Sequence, residues 1–520
     1  MITQKNDPSK ALFIGCFIAL VTTAFAFITR AFLVNDPTLW PKTFGLDGVQ
    51  SGVLFGAGIW PFAISIILFS LVIDRIGYKT AMWFSFVCYA GYALLALKAH
   101  SVITADPLAK PEAYNYLYWG SVILGLGNGT VEAYVNPVVA TMFSKDKAKW
   151  LNILHAGWPG GLVVGGLMTL ALGTQAHQDW RILVYIIAVP ALVYVAILSK
   201  ANFPPNERVA AGTTYREMLA EFGIFGAAIA SYLITAQLAQ VLVWDASYQW
   251  GIFAIMVIAF GLYSRSLGRG ILVFLCLVMI PLATTELGTD GAISGIMEKP
   301  MAAIGGNGLW VLIYTSAIMM VMRFFAGPIV SRISPLGLLA VSAILAVLGL
   351  YSLSGASSLS AIFIAASVYA CGKTFFWPTT LAVVSEQTPK GGALTLNAIG
   401  GIGMLAVGIL GAPVIGAMTE RTAQSAIELS VPGSYAKIAK EGSYVLGSYQ
   451  AVDNDKVKDL EKTDKITADK ILAAREGANQ GALAKIAIFP AFMLVCYLLL
   501  IGWFRARGGY RAEVIGGNAH

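Results

Sequence analysis

The sequence predicts an all-α polytopic membrane protein: two six-helix bundles related by a pseudo-repeat, with two extra helices between them. Composition is the first reason, because 57% of the 520 residues are apolar, 12% are charged and the mean hydropathy is +0.72, unlike a water-soluble domain. The second is a series of apolar runs near the ~20 residues that cross a bilayer as a helix. The third is that matching features recur in order in both halves, which gives about 14 spans in a duplicated arrangement.

The first half contains six apolar runs of membrane-spanning length. The earliest is too long for the apolar region of a signal peptide, and many spans follow it, so we expect it to be retained. The loop after it is marked by Pro37 and Pro41. The predicted spans are 11–33, 52–73, 80–97, 116–143, 151–172 and 182–198.

A polar linker with two prolines, 199–216, divides the chain. Two shorter apolar runs follow, 222–243 and 252–263, and then six more. A Lys/Glu/Asp-rich segment, 419–485, precedes the last run and should form short solvated helices. These helices either cap or narrow the outer entrance or are a plain surface excursion. The later runs are 271–288, 308–330, 336–353, 361–384, 392–418 and 486–504. We therefore divide the chain into an N-terminal bundle (1–200), a linker with two extra helices (201–269) and a C-terminal bundle (270–520).

The basic loops predict the orientation. Residues such as Arg75, Lys147, Arg208 and Arg332 fall on one side when all the runs cross, and an excess of basic residues marks the cytoplasmic side. Both termini then lie in the cytoplasm and the 419–485 segment lies outside. We expect a multi-pass protein of the cell (inner or plasma) membrane.

Three paired features support duplication of the bundles. They are Ile73–Ile76 with Val330–Ile333 after the second span of each half, Glu132 with Lys373, each five residues before a proline, and Leu151-Asn152 with Leu396-Asn397. Repeated halves around a site near the bilayer midplane are common in secondary transporters.

The first and fourth runs of each half carry one charged residue each: Arg30, Glu132, Glu286 and Lys373. Ionisable groups at membrane depth are costly, so they usually face a protein interior or a watery cavity. These residues are therefore candidates for substrate binding.

Polar and aromatic residues near these charges extend the candidate site. Asn136 follows Glu132 by four residues, on the same helical face. Trp158 and Trp377 are either platforms for a sugar ring or core aromatics. His155 is either a proton carrier or a packing group.

Each deep charge also has a structural alternative. Arg30 could extend to the interface, and Glu286 could mark a helix break near the outer face. Glu132 and Lys373 could pair across the cavity, which is the arrangement we predict. Pairing would leave the cavity nearly neutral and suited to a sugar. Otherwise Lys373 and Arg30 would attract a carboxylate or phosphate.

Two stretches carry a family resemblance. The loop 70–79 resembles the D-R-x-G-x-[RK] signature of the major facilitator superfamily, although Ser70 stands where that motif usually has Gly. Residues 125–161, with Glu132, Asn136 and Leu151-Asn152, resemble the fucose–proton symporter branch. The resemblance implies two bundles that rock around a central cavity lined by the first and fourth helices of each half.

The resemblance also implies a gating set at the ends of the helices: Asp74, Arg75, Gly77, Lys79, Arg323 and Arg332. The chain departs from the branch in its first span, which has Arg30 and no mid-span carboxylate where the branch has an acidic residue. Glu132 is therefore the main candidate for ion coupling, with His155 second.

These observations predict a secondary active transporter that moves a small polar solute, a sugar or sugar derivative, by alternating access with proton coupling. Sodium coupling and uniport stay open. Alternatives are transport of an organic anion such as a sugar acid, transport of peptides, and, more remotely, a membrane sensor.

Other classes fit less well. With only four histidines, no triad or metal-ligand cluster is visible, so we expect no enzyme, cofactor or metal. The five cysteines all lie in apolar runs, where they act as small buried residues. The expected partners are the solute, a proton or sodium ion and membrane lipid, with no nucleic acid, and the protein should be a monomer.

Overall fold

The computed structural model describes residues 8–36, 38–46, 48–306, 308–444 and 447–515. Within these ranges, twelve helical stretches are long and apolar enough to cross a membrane. Adding the long helix at 110–142 and the shorter one at 309–324 gives fourteen stretches that match the predicted runs one to one. The prediction of an all-α membrane fold is confirmed.

The N-terminal bundle is built from helices that are interrupted at glycine and proline. A break at 57–59 precedes Pro61, which occupies an early position of its helix, where no backbone N–H is needed. Gly77 adopts a φ of +84° in the short turn of the 70–79 loop, a conformation that favours glycine. The helices are α1 (Pro8–Asn35), α2 (Trp40–Phe44), α3 (Gly48–Gly56), α4 (Trp60–Ile76), α5 (Tyr78–Ala105), α6 (Lys110–Met142), α7 (Lys147–His155), α8 (Gly157–Ala171), α9 (Gly173–Gln178) and α10 (Arg181–Leu198).

The linker leads into an antiparallel pair of extra helices. They are preceded by α11 (Glu207–Ala210) and comprise α12 (Tyr215–Leu242) and α13 (Ala246–Ser264). A capping box between Thr214 and Glu217 starts α12. Only 6% of the most apolar part of α13 is buried in the protein, which suits a helix that faces lipid.

The C-terminal bundle repeats the interrupted helices of the first. Its helices are α14 (Gly270–Ala283), α15 (Thr289–Ala302), α16 (Leu309–Phe324), α17 (Ala326–Val330), α18 (Pro335–Leu353), α19 (Leu359–Lys373), α20 (Phe376–Gln387), α21 (Gly392–Ala406), α22 (Ala412–Ser430) and, at the end of the chain, α27 (Ile488–Arg505). π-Helical turns at Thr284–Gly288 and Val407–Gly411 join α14 to α15 and α21 to α22. The predicted spans 271–288 and 392–418 end too early, because the helices continue beyond the π turns to Ala302 and Ser430.

The segment between α22 and α27 forms a small layer of its own. It contains α23 (Tyr435–Ile438), an antiparallel hairpin of β1 (Ala439–Tyr444) and β2 (Gly447–Val452), α24 (Asn454–Thr463), α25 (Lys465–Asn479) and α26 (Ala482–Ile486). Ile427, Tyr435, Ile438, Val452, Val457 and Ile471 form its apolar core. The Ala/Lys/Glu composition predicted the helices, but not the hairpin.

The bundles meet along glycine-containing faces. A Cβ atom on Gly401 of α21 would lie 2.4 Å from Ile67 Cγ1 of α4, and one on Gly160 of α8 would lie 3.3 Å from Met320 Sδ of α16. These close approaches suit helices that slide in a membrane. Other glycines of α8, such as Gly161, pack on α1 within the same bundle.

We call the face of the molecule with residues 199–214 the linker side and the face with residues 431–480 the segment side. On the segment side, the Gln480 amide donates hydrogen bonds to the carbonyls of Leu353 and Ala356. A Cβ atom on Gly481 would lie 3.7 Å from Thr422 Cγ2, so α22 and the return of the chain are adjacent at that point.

We expect that replacing residues 423–478 with two glycines leaves a folded protein. The replaced part has its own core, and the adjacency of Thr422 and Gly481 allows the short connection. Size-exclusion chromatography in detergent and a thermal melt would check this, with the melting temperature close to that of the full chain. Aggregation of the shortened chain, with the full chain monodisperse, would show that the segment is required for the membrane bundle to fold.

Candidate functional site

A central cavity lies between the two bundles, where several helices are interrupted. The space between its lining residues is about 460 Å³, open solvent included. It is lined by Phe62, Ile66, Glu132, Asn136, His155, Trp158, Glu286, Leu287, Arg323, Trp377, Asn397, Gly400 and Met404. Five of the seven predicted substrate-binding residues are in this set: Glu132, Asn136, Trp158, Glu286 and Trp377.

Glu132 is the centre of a polar network. Its Oε2 accepts a hydrogen bond of 2.8 Å from the Asn136 amide. The oxygen of Asn136 is 3.0 Å from His155 Nε2, and the Asn136 amide is also 3.4 Å from the oxygen of Asn397. No cation pairs with Glu132 among the described residues. Within the part of the chain that the structure describes, Glu132 is thus held by an amide hydrogen bond and not by an ion pair.

Three prolines create acceptors for this network, because proline lacks the N–H that a helix would offer to the carbonyl four residues earlier. Pro137 leaves the Ala133 carbonyl free, and Asn397 donates to it at 2.8 Å. Pro159 and Pro378 likewise free the carbonyls of His155 and Thr374, which accept from Arg323 at 2.8 and 2.7 Å. The contacts of Asn397 with Ala133 and of Arg323 with His155 therefore join the two bundles, whereas that of Arg323 with Thr374 lies within the C-terminal bundle.

Arg323 was predicted to belong with Arg332 to the gating set, and the structure places it elsewhere. It is fully buried and pairs with Glu286 at 2.9 Å, while the Trp377 backbone N–H donates to the other carboxylate oxygen of Glu286 at 3.3 Å. Glu286 itself lies in the π turn that joins α14 and α15, a feature frequent at functional sites. Arg332 is exposed in the turn after α17.

Lys373 pairs with Asp290, and the predicted pairing with Glu132 is wrong. The ammonium of Lys373 donates to the Asp290 carboxylate and lies 3.4 Å from the Thr315 hydroxyl. It also lies 5.2 Å from the ring centre of Tyr369. Lys373 is therefore directed into the C-terminal bundle, outside the set that lines the central cavity.

The sequence interpretation missed Asp290, because it ended the span at 288. Asp290 follows Glu286 by four residues and so shares a helical face with it. The side chain of Lys373 is 0% exposed and that of Asp290 is 12% exposed. The pair thus satisfies a lysine that has no access to water.

Arg30 also lies outside the central cavity. Its guanidinium donates to the carbonyls of Leu54 and Phe55 at 2.8 and 2.9 Å. These carbonyls lie at the end of α3, where the helix itself offers no further N–H donor. A Cβ atom on Gly58 would lie 2.4 Å from Arg30 Nη2. Arg30 therefore stabilises the break between α3 and α4, and this geometry does not support its predicted contact with substrate.

Linker residues close the linker side between the bundles. Arg208 forms an ion pair with Asp74 at 2.5 Å, and both side chains are buried. Tyr78 and Asn206 bond to each other at 3.1 Å beside this pair. Arg75 lies 4.2 Å from the ring centre of Tyr215. The sequence interpretation placed Asp74 and Arg75 in gating, but it missed their linker partners.

A second contact on this side joins the bundles directly. Lys147 of the N-terminal bundle pairs with Glu207 at 2.7 Å, and its ammonium is 3.4 Å from the Ser385 carbonyl of the C-terminal bundle. Of the remaining predicted gating residues, Gly77 forms the turn after α4, and Lys79 is exposed.

We expect Asp74→Ala to slow transport without changing which solutes compete. Loss of the carboxylate leaves Arg208 buried without its partner, which costs about 3–5 kcal/mol when a buried pair is broken. The linker side should then open more often. Initial uptake rates and thiol labelling of a cysteine placed at Thr141, which lines the small cavity beside Glu207, would measure both effects.

The double variant Asp74→Ala with Arg208→Ala is the matched control for that experiment. It removes both charges, so its uptake rate and labelling should lie closer to the wild type than those of Asp74→Ala. A changed order of competing solutes in Asp74→Ala would contradict a purely gating role.

The segment side is open. A vestibule with an empty volume of about 1930 Å³ leads from the central cavity to the segment, and the two spaces share Trp158, Leu287 and Met404 in their linings. The structure is thus closed on the linker side and open on the segment side. These are the features of one end state of an alternating-access cycle.

Comparisons with known proteins agree with this architecture. The proton:xylose symporter XylE, solved with bound 6-bromo-6-deoxy-D-glucose, matches over 93% of this chain and 94% of its own, with 12% identity and a TM-score of 0.57. The human organic anion transporter MFSD10 matches over 94% and 100%, with 13% identity and a TM-score of 0.54. The E. coli fucose:proton symporter FucP matches over 92% and 98%, with 16% identity and a TM-score of 0.49.

Identities this low show a shared fold and leave the substrate open. A comparison with curated proteins finds no match. The family model described as Major Facilitator Superfamily matches residues 11–413, which include the 70–79 loop, the central cavity and the linker closure. The chain belongs to the major facilitator superfamily, as its 70–79 signature and its paired bundles predicted.

Proposed function

We propose that this protein is a secondary active transporter of a neutral, hydroxyl-rich solute, a sugar or sugar derivative, and that protonation of Glu132 couples transport to a proton gradient. The observation that carries the proposal is Glu132 itself. It is a carboxylate in the central cavity, between the bundles, held by Asn136 and paired with no cation among the described residues.

The charge balance of the cavity favours a neutral solute over an anion. Arg323 is compensated by Glu286, Lys373 by Asp290, and Arg30 is directed towards carbonyls. Lys373 and Arg30, the two cations that would have attracted an anion, are therefore engaged outside the central cavity. The remaining charge at Glu132 would repel a carboxylate.

The lining also supplies suitable contacts for a sugar. Asn136 and Asn397 carry amides that can donate and accept hydrogen bonds with hydroxyl groups. Trp158 and Trp377 lie at the same cavity and provide apolar faces for a ring. Among the structures that share the fold, XylE is named as a proton:xylose symporter and MFSD10 as an organic anion transporter.

The proton and the solute would bind from the open segment side. Protonation of Glu132 removes the cost of enclosing a lone carboxylate at membrane depth, so the loaded cavity can be closed off from water. Release of the solute on the linker side then requires that the ion pairs Asp74–Arg208 and Lys147–Glu207 break. The basic loops place the segment side outside the cell, which gives import.

Competition between a sugar and its acid tests the choice of solute. In proteoliposomes, uptake of a radiolabelled hexose identified by a binding screen should be inhibited by unlabelled hexose at least about 10-fold more strongly than by the matching uronic acid, a difference of about 1.4 kcal/mol. Glucose with glucuronate and galactose with galacturonate are suitable pairs. Equal or stronger inhibition by the acids would favour transport of organic anions.

A further inference from the structure

The vestibule is larger than the central cavity. The space between its lining residues is about 1930 Å³, open mouth included, against about 460 Å³ for the central cavity. Because Trp158 and Leu287 line both spaces, a solute held in the central cavity could extend directly into the vestibule.

One wall of the vestibule is aromatic. The ring centres of Phe27 and Phe55 are 5.7 Å apart, and those of Phe27 and Trp158 are 5.9 Å apart. Trp158 in turn lies 6.1 Å from Phe62, which lines the central cavity. The aromatic rings are therefore continuous from the vestibule to the polar site, and offset or tilted stacking of this kind also suits a planar ligand.

Glycines of the C-terminal bundle line the same vestibule. They are Gly291 and Gly295 of α15 and Gly416 of α22, where an added Cβ atom would meet no other atom within 4 Å. We call the space lined by these glycines and by the aromatic rings of the N-terminal bundle the slot; Gly291 lines a common space with Phe27 and Phe55.

Polar groups are distributed unevenly along this path. Within the described lining, Asp290 is the charged group near the slot, and it is engaged by Lys373. The other polar lining residues, Thr419, Glu420, Tyr449 and Asn479, belong to the rim at the segment. An adjoining space that shares Phe27, Phe55 and Gly291 adds the hydroxyls of Thr169, Ser294 and Ser316. The lining of the slot is therefore mostly apolar, and burying the several hydroxyls of a second sugar ring there would leave part of them without partners, which is unfavourable.

We propose that the transported solute is amphipathic: a sugar bearing an apolar aryl or alkyl group, such as a glycoside with an apolar aglycone. The sugar would occupy the central cavity at Glu132 and Asn136, and the apolar group would occupy the slot between Phe27, Phe55 and Trp158 and the glycines of α15. This inference rests on the proposed function, because the sugar site is the one described above.

The competing explanation is that the two walls are only the surfaces that meet when the vestibule closes. That explanation predicts no preference for an apolar group on the sugar. The two explanations therefore differ in one measurable quantity, the affinity of an aryl glycoside relative to the methyl glycoside of the same sugar.

Isothermal titration calorimetry on the full chain in lipid nanodiscs would measure this quantity. The probes are the methyl and phenyl glycosides of glucose, galactose, mannose, xylose and fucose. For the sugar that binds best, we expect the phenyl glycoside to bind about 10-fold more tightly than the methyl glycoside, which corresponds to about 1.4 kcal/mol.

Gly291→Leu fills the slot and should reduce that ratio to about one. Gly295→Leu is the second variant, in case the first does not fold. Gly502→Leu is the matched control, since Gly502 is also free of neighbours within 4 Å but lies on α27, away from the vestibule lining. The control should keep the wild-type ratio.

The measurements distinguish failure of the amphipathic-solute proposal from failure of the proposed sugar function. Equal binding of methyl and phenyl glycosides by the wild type would overturn the amphipathic solute and leave the sugar site standing. A phenyl preference that persists in both leucine variants would also overturn the slot. If neither methyl nor phenyl glycosides bind, the proposed sugar function itself fails, and this inference fails with it.

Discussion

Glu132→Gln should abolish accumulation of solute against its gradient. For one proton per solute, a membrane potential of 100 mV supplies about 2.3 kcal/mol, enough for about 50-fold accumulation. Glutamine keeps the hydrogen bonding of a protonated carboxyl but cannot carry a proton. The variant should therefore reach only equal concentrations inside and outside proteoliposomes.

Exchange of labelled for unlabelled solute should persist in Glu132→Gln, because exchange needs binding and rocking but no net movement of protons. Glu221→Gln is the matched control, since Glu221 lies near Arg269 at the linker side, outside the central cavity. The control should accumulate solute like the wild type. Normal accumulation by Glu132→Gln would eliminate Glu132 as the coupling residue and leave His155 as the next candidate.

Asp290→Asn should lower the stability of the protein by about 3 kcal/mol, because it leaves the fully buried ammonium of Lys373 without a counter-charge. Lys373→Met should cost less, since the Asp290 carboxylate that it leaves behind is partly exposed to the vestibule. The two losses of stability should differ because Asp290 has some access to water when its partner is removed, whereas Lys373 has none.

Thermal unfolding in detergent at matched lipid content would check this order, and the double variant Asp290→Asn with Lys373→Met should recover part of the loss. A double-mutant cycle gives the coupling energy directly. If Asp290→Asn and Lys373→Met were equally harmless, the contact between the two groups would contribute nothing to the stability of the bundle. If the double variant were as unstable as Asp290→Asn, desolvation of Lys373 would not be the cause.

Much of the architecture could be predicted from the sequence because membrane burial acts on each helix separately. A run of about 20 apolar residues has no other stable place than a bilayer or a core, so all fourteen spans could be located one by one. Of the four charges predicted to line the cavity, Glu132 and Glu286 do line it, whereas Arg30 and Lys373 do not. The signature at Asp74 identified the family.

The partners of these charges could not be predicted, because they depend on how helices distant in sequence are rotated against each other. Glu132 and Lys373 occupy matched positions in the repeats, yet Lys373 is directed towards Asp290 on α15, and Glu132 towards Asn136 and the cavity. Likewise, the sequence predicted only a polar linker, whereas in the structure Arg208 of that linker forms an ion pair with Asp74.

The sequence alone determined which groups lie at membrane depth and which prolines interrupt the helices. Only the tertiary structure decided what satisfies the carbonyls that those prolines expose. Pro137 and Pro159 each free one carbonyl, and the donors are Asn397 and Arg323, which are 264 and 168 residues away from their acceptors. Hydrophobic length is a local property of the chain, whereas a hydrogen bond across a cavity requires both bundles to be in place.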